Sequence, residues 1–175
     1  MRGVIRVKKV LCCVADIFED LELWYPVIRL REEGYEVLLV GDEAGKTYKG
    51  KNGVPAVSDL AFKDVRAEDY HGLLIPGGFA PDKMRRLPEA RKLVKDMDDA
   101  GKPIAQICHA GWLAISAGIL KGRKVTSVDA IKDDMVNAGA EWVDEEVVVD
   151  RNLISSRTPK DLPAYAKAIL KALNS

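Results

Sequence analysis

Three short stretches that are almost wholly apolar constrain this chain most. They are Val10-Leu-Cys-Cys-Val-Ala15, Leu73-Leu-Ile75 and Pro103-Ile-Ala-Gln-Ile107. Each has the length of a strand, and none alternates polar with apolar. A strand of that kind is buried on both faces. Segments with helical spacing separate them, and that order predicts a parallel sheet with helices on both faces. At 175 residues the chain is long enough for one domain with a sizeable core.

A helix is expected over about Leu21 to Glu33, with Leu23, Trp24, Val27, Ile28 and Leu30 as its apolar positions and Gly34 as its stop. Glu36 to Val40 reads as the next strand. Residues 42 to 64 read as a polar excursion with short strands and turn signals at Gly50, Gly53 and Pro55. Further helices are expected at Pro88 to Ala100, Ala110 to Ala117 and Leu162 to Leu173. Further strands are expected at Val125 to Val128, Val147 to Val149 and Leu153 to Ser155, the last two joined as a hairpin through Asp150-Arg151-Asn152. The fold class that follows is α/β, a flavodoxin-like, doubly wound, mostly parallel sheet with a small antiparallel annex. Ligands of such folds bind outside the carboxyl ends of the strands.

Charge argues against several classes of partner. Lys plus Arg and Asp plus Glu number 27 each, so no net field favours nucleic acid or an anionic membrane. The apolar run after the basic start is too short for a signal core or a membrane span. Three cysteines, two of them adjacent, make a poor disulfide framework, and with two histidines and no paired-cysteine motif no metal site is expected. The expected compartment is the cytoplasm. Trp24, Trp112 and Trp142 read as core or interface anchors, and Cys12 and Cys13 as unreactive strand residues. His71 is a loop histidine without evident partners.

Three loops fall at the expected ligand edge. Ile107-Cys108-His109-Ala110-Gly111 takes a strand into a helix with almost no loop. Such a turn exposes a nucleophile, and a helix N-terminus favours a thiolate there. His109 would carry the proton. The alternative is a small buried Cys108 beside a surface histidine. Pro76-Gly77-Gly78 ends another strand, where it is either a plain turn or a source of amide donors for an oxyanion. Phe18-Glu19-Asp20-Leu21-Glu22 follows the first strand. Asp20 and Glu22 suit helix capping and the first turn, which leaves Glu19 as the carboxyl for the cysteine.

Those loops, with Leu74-Ile-Pro-Gly-Gly78, Ile131-Lys-Asp-Asp-Met135, Asn137-Ala-Gly139, Glu141-Trp-Val-Asp144 and Ser155-Ser-Arg157, resemble the PfpI-type intracellular protease family, of the superfamily that includes the Parkinson-disease-associated deglycase. The likeness runs from about residue 8 to the C-terminus and leaves residues 1–7 as an N-terminal extension to a single domain over 8–175. It implies Cys108 as nucleophile, His109 as its adjacent histidine and Glu19 at the sulfur. Oxyanion donors would come from Gly77, Gly78 and His109. It implies a cofactor-free cysteine hydrolase in homo-oligomers, trimers or hexamers built from dimers. There Asp82 of one subunit would reach His109 of the next, with aspartate one methylene shorter than the usual glutamate. The implied substrates are peptides or glyoxal-derived adducts, as a peptidase or deglycase. Alternatives are a glyoxalase III converting methylglyoxal to lactate, a redox-sensing or chaperone-like protein whose Cys108 oxidises, and a pure binding domain.

Overall fold

The computed structural model describes residues 7–175, so the expected extension lies, apart from Val7, outside the described residues. In chain order the first elements are β1 (Lys9–Cys13), α1 (Asp20–Glu32), β2 (Glu36–Gly41), β3 (Thr47–Lys49), β4 (Pro55–Val57) and β5 (Leu60–Ala61). Next come β6 (Gly72–Ile75), α2 (Ala80–Met84), α3 (Pro88–Asp99), β7 (Ile104–Ile107) and α4 (Gly111–Ala117). The chain ends with β8 (Lys124–Val125), α5 (Lys132–Asn137), β9 (Glu141–Trp142), β10 (Val147–Asp150), β11 (Leu153–Ser156) and α6 (Leu162–Leu173).

Seven strands form one sheet in the order β10-β11-β7-β6-β1-β2-β5. All neighbours run parallel except β10 and β11. The apolar runs fill the centre of the sheet because β1, β6 and β7 have strands on both sides and helices above and below. From Val10 to Cys13, and through all of β6 and β7, every residue is buried. α1 packs with α6, and α3 packs with α4, which also meets α2 and α5. The antiparallel annex is the β10–β11 hairpin. Asp150 pairs with Leu153, so Arg151 and Asn152 make the turn, with Arg151 at φ 57°. A second hairpin, β3–β4, occupies the polar excursion.

Two expectations need correction. The strand expected over Val125 to Val128 stops at Val125. Thr126 N–H turns aside to Ser155 Oγ (2.9 Å), and Val128 N–H donates to Cys108 O (3.4 Å), so the segment leaves the ladder. On α1 the buried stripe is Glu22, Leu23, Pro26, Val27 and Leu30. Ile28, expected among the apolar contacts, is exposed with Leu21 and Tyr25.

Candidate active site

The site is built where β7 breaks. Ile107 still has extended backbone, whereas Cys108 stands at φ 60° and opens a 3-10 turn, Cys108–Ala110, that feeds α4. A non-glycine residue there costs about 1–2 kcal/mol, which surrounding contacts must offset. The turn lifts the half-buried sulfur above the sheet's carboxyl edge. His109 Nδ1 lies 3.3 Å from Sγ, and its ring leans on Trp112 with centroids 4.9 Å apart. Burial first, and the positive charge of Lys51 second, hold the His109 pKa below its ordinary value. The imidazole is therefore neutral near pH 7 and able to accept a proton.

Gly77 and Gly78 form the opposite wall. Gly78 has φ 76°, and a Cβ there would come within 2.5 Å of both Ile17 O and Glu19 N. The closeness follows from backbone pairing. Phe18 bridges Gly78, Phe79 N–H donates to Ile17 O (2.7 Å) and Glu19 N–H donates to Gly77 O (3.1 Å). The loop after β1 is thereby laced to the loop after β6. The backbone amides of His109 and Gly78 face the Cys108 sulfur and favour negative charge there. Gly77 N–H is already given to Glu22 Oε2 (2.9 Å), so this amide, expected among the oxyanion donors, is engaged elsewhere.

Glu22, not Glu19, is the carboxyl at the sulfur. Glu19 Oε2 accepts the Glu22 N–H (2.8 Å) and so caps α1. Asp20, read as a cap from the sequence, accepts Asn52 N–H (2.9 Å) and Val54 N–H (3.0 Å) and fastens the 50–54 loop. Glu22 is only 3% exposed and its carboxyl interacts with the Cys108 side chain. Its Oε1 is buried with no further polar partner among the described residues. A Cβ on Gly77 would collide with Glu22 Oε2 and sit 2.8 Å from Cys108 Cβ, which shows how closely the two side chains converge.

Burial, and then the charge of Glu19, raise the Glu22 pKa to about 8. Burial, and then the charge of Glu22, push the Cys108 thiol up as well. The resting thiolate expected from the helix N-terminus is opposed by desolvation. Two acids in contact and out of water resist a second negative charge, so one proton stays between them well above neutrality. A protonated Glu22 can donate to whatever charge develops at Cys108.

Asp82, the acid expected at His109 from a neighbouring subunit, pairs in its own chain with Arg86 (2.7 Å), one turn along. Cys12 and Cys13 are fully buried with thiol pKa values pushed up by burial, unlike the half-buried Cys108. His71 Nδ1 accepts the Lys9 N–H (3.1 Å) at the far end of the sheet. Trp24, Trp112 and Trp142 are half-buried, and Trp142 Nε1 donates to Ser127 Oγ (2.9 Å). Among the described residues no three His, Cys, Asp or Glu side chains converge as a metal site would require. Hollows of about 640 and 1080 Å³ open elsewhere on the surface, and Cys108 lines neither.

Sequence reasoning missed Glu22. Its signal was position: residues 22, 26 and 30 share one helical face, and Glu22 is the acid on the buried stripe.

The DJ-1/PfpI family matches over residues 8–172. The chain is 50% identical over 165 residues to a protein of Pyrococcus horikoshii named a deglycase, covering 94% of this chain and 99% of that one. It is 42% identical over 170 residues to a protein of Escherichia coli named protein/nucleic acid deglycase 2, covering 96% and 99%. The crystal structure of Drosophila melanogaster DJ-1beta superposes with a TM-score of 0.89 at 28% identity, covering 97% of this chain and 92% of that one.

Proposed function

Because the chain belongs to the DJ-1/PfpI family, we propose that it is a cysteine-dependent deglycase that removes glyoxal-derived adducts from amino or guanidino groups. One observation carries this reading. Cys108 Sγ is met at once by a neutral imidazole at 3.3 Å, by a carboxyl with a raised pKa and by two amide donors. A merely structural cysteine has no use for that convergence.

His109 takes the thiol proton as Sγ bonds to the adduct carbon, and the amine leaves with a proton. The sulfur then holds a hemithioacetal of the dicarbonyl. Moving a proton from the sulfur-bearing carbon to its oxidised neighbour gives a 2-hydroxyacyl thioester. One carbon is oxidised as the next is reduced, so the step balances without an external redox partner. Glu22 is placed to shuttle that proton, and the Gly78 and His109 amides beside the sulfur are the donors available to the developing oxyanion. Water hydrolyses the thioester to a 2-hydroxy acid and restores the thiol. We include in this reading a homo-oligomer in which Asp82 of one copy orients His109 of another.

The test is a peptide modified with methylglyoxal, followed by mass spectrometry and by lactate release. The wild type restores the unmodified peptide with one lactate per adduct. Cys108→Ala abolishes release, and His109→Ala lowers it by about 10² or more. Cleavage of the peptide backbone with the adduct left intact would replace this reading with the peptidase one.

A further inference from the structure

Lys51 is a charged residue at the site that the proposed chemistry leaves unused. It lies in the loop between β3 and β4, held by a dense set of backbone bonds. Gly50 N–H donates to Val54 O and Gly53 N–H to Gly50 O, both at 2.9 Å, closing a tight turn. The Asp20 carboxylate receives the N–H groups of Asn52 and Val54. Lys51 N–H itself donates to Phe18 O at 2.9 Å. Phe18 in turn bridges Gly78, whose amide faces the Cys108 sulfur. Two backbone contacts therefore separate Lys51 from the nucleophile's wall. Its side chain is exposed, and its charge is felt both by Glu22 on the floor and by His109 at the rim.

No carboxylate pairs with Lys51 among the described residues, whereas Lys46, earlier in the same excursion, is held by Asp42 and Glu43. A cation with no carboxylate partner, carried on backbone laced to the wall of the catalytic turn, is placed to receive an anion. The proposed substrate brings none at the reacting carbons, but the product does. We infer that Lys51 is the anion-recognising residue of this site and holds the carboxylate of the small 2-hydroxy acid formed there. This rests on the reading of Cys108 as nucleophile. It adds that the site prefers ligands bearing a carboxylate next to the reacting carbon.

Two alkylating agents of equal reach and different charge test it. Iodoacetamide and iodoacetate each lose iodide as Sγ bonds to their methylene carbon, and only the second carries a carboxylate. Rates at Cys108 are followed by mass spectrometry in the wild type, Lys51→Gln and Lys51→Arg. The expected result is that Lys51→Gln lowers the iodoacetate-to-iodoacetamide ratio by about three- to fivefold, the reach of one exposed charge. Lys51→Arg keeps the ratio, and high salt compresses the difference. An unchanged ratio in Lys51→Gln overturns the inference. If iodoacetamide leaves Cys108 of the wild type unlabelled, the nucleophile reading falls first. The carboxylate role is then read from the His109 imidazole resonances with added glycolate. A shift in the wild type that is lost in Lys51→Gln sustains it, and no shift in either overturns it.

Discussion

Glu22 is a buried acid whose ionisation the fold opposes. Its carboxyl is buried on the inner stripe of α1 with a pKa moved from 4.5 to about 8. The unfolded chain would release that proton near the ordinary value, while the native state keeps it. Native protein therefore binds the extra proton between those limits, and stability falls as pH rises through that window. Below it both states are protonated and the penalty vanishes. Urea unfolding of the wild type and Glu22→Gln at pH 5 and pH 8 should show this. Wild-type stability drops relative to the variant between pH 5 and pH 8, by about 3–4 kcal/mol if none of the burial relaxes. Parallel stabilities at the two pH values would mean that the carboxyl ionises freely in the fold. Residue types at the site were legible in the sequence where local geometry dictates them: Cys108 at a strand end and Gly77-Gly78 at another. The choice between Glu19 and Glu22 was not. Both are acids at one helix start, and only the rotation of α1 against the sheet decides which one caps and which one faces inward.

At the scale of elements, the site depends on two loops lying closer together than side chains permit. The loop after β1 and the loop after β6 exchange backbone hydrogen bonds across Phe18 and Gly78, and only glycine leaves room. Gly78→Ala meets backbone atoms on both sides at a positive φ, with no flexible side chain to move away. The expected loss is about 3 kcal/mol or more, read by chemical denaturation, together with loss of turnover as the Gly78 amide leaves the sulfur. A variant that is fully stable and active would show that the loops can part without cost. Most of these elements follow from apolar period alone, and α6 spans Leu162–Leu173 just as its spacing predicts. Val125 to Val128 departs because its exit from the sheet is set by partners distant in sequence, Ser155 and Cys108. Neither contact has a local signature.

Considered as a whole, the molecule keeps Cys108 at the carboxyl edge of the sheet and leaves large apolar side chains exposed nearby. Leu21, Tyr25 and Ile28 recur on one outer face of α1, and Ile17 and Phe79 flank the laced loops. A helix face of that kind next to a functional site is a surface that a second copy can cover. Self-association would also bring His109 an acid, since among the described residues its imidazole meets the Cys108 sulfur and no carboxylate. A Leu21→Glu, Ile28→Glu variant should sediment as a smaller species than the wild type, because two charges desolvated in the contact oppose assembly. Its kcat should fall to the level of Asp82→Asn, which keeps the native mass but turns over about tenfold more slowly as the His109 orientation is lost. Adding Asp82→Asn to the dissociated variant should then cost nothing further, since the acid is already out of reach. If the smaller species keeps full kcat, His109 needs no partner copy and the role proposed for Asp82 fails. If Asp82→Asn still slows the dissociated variant, the acid acts within its own chain.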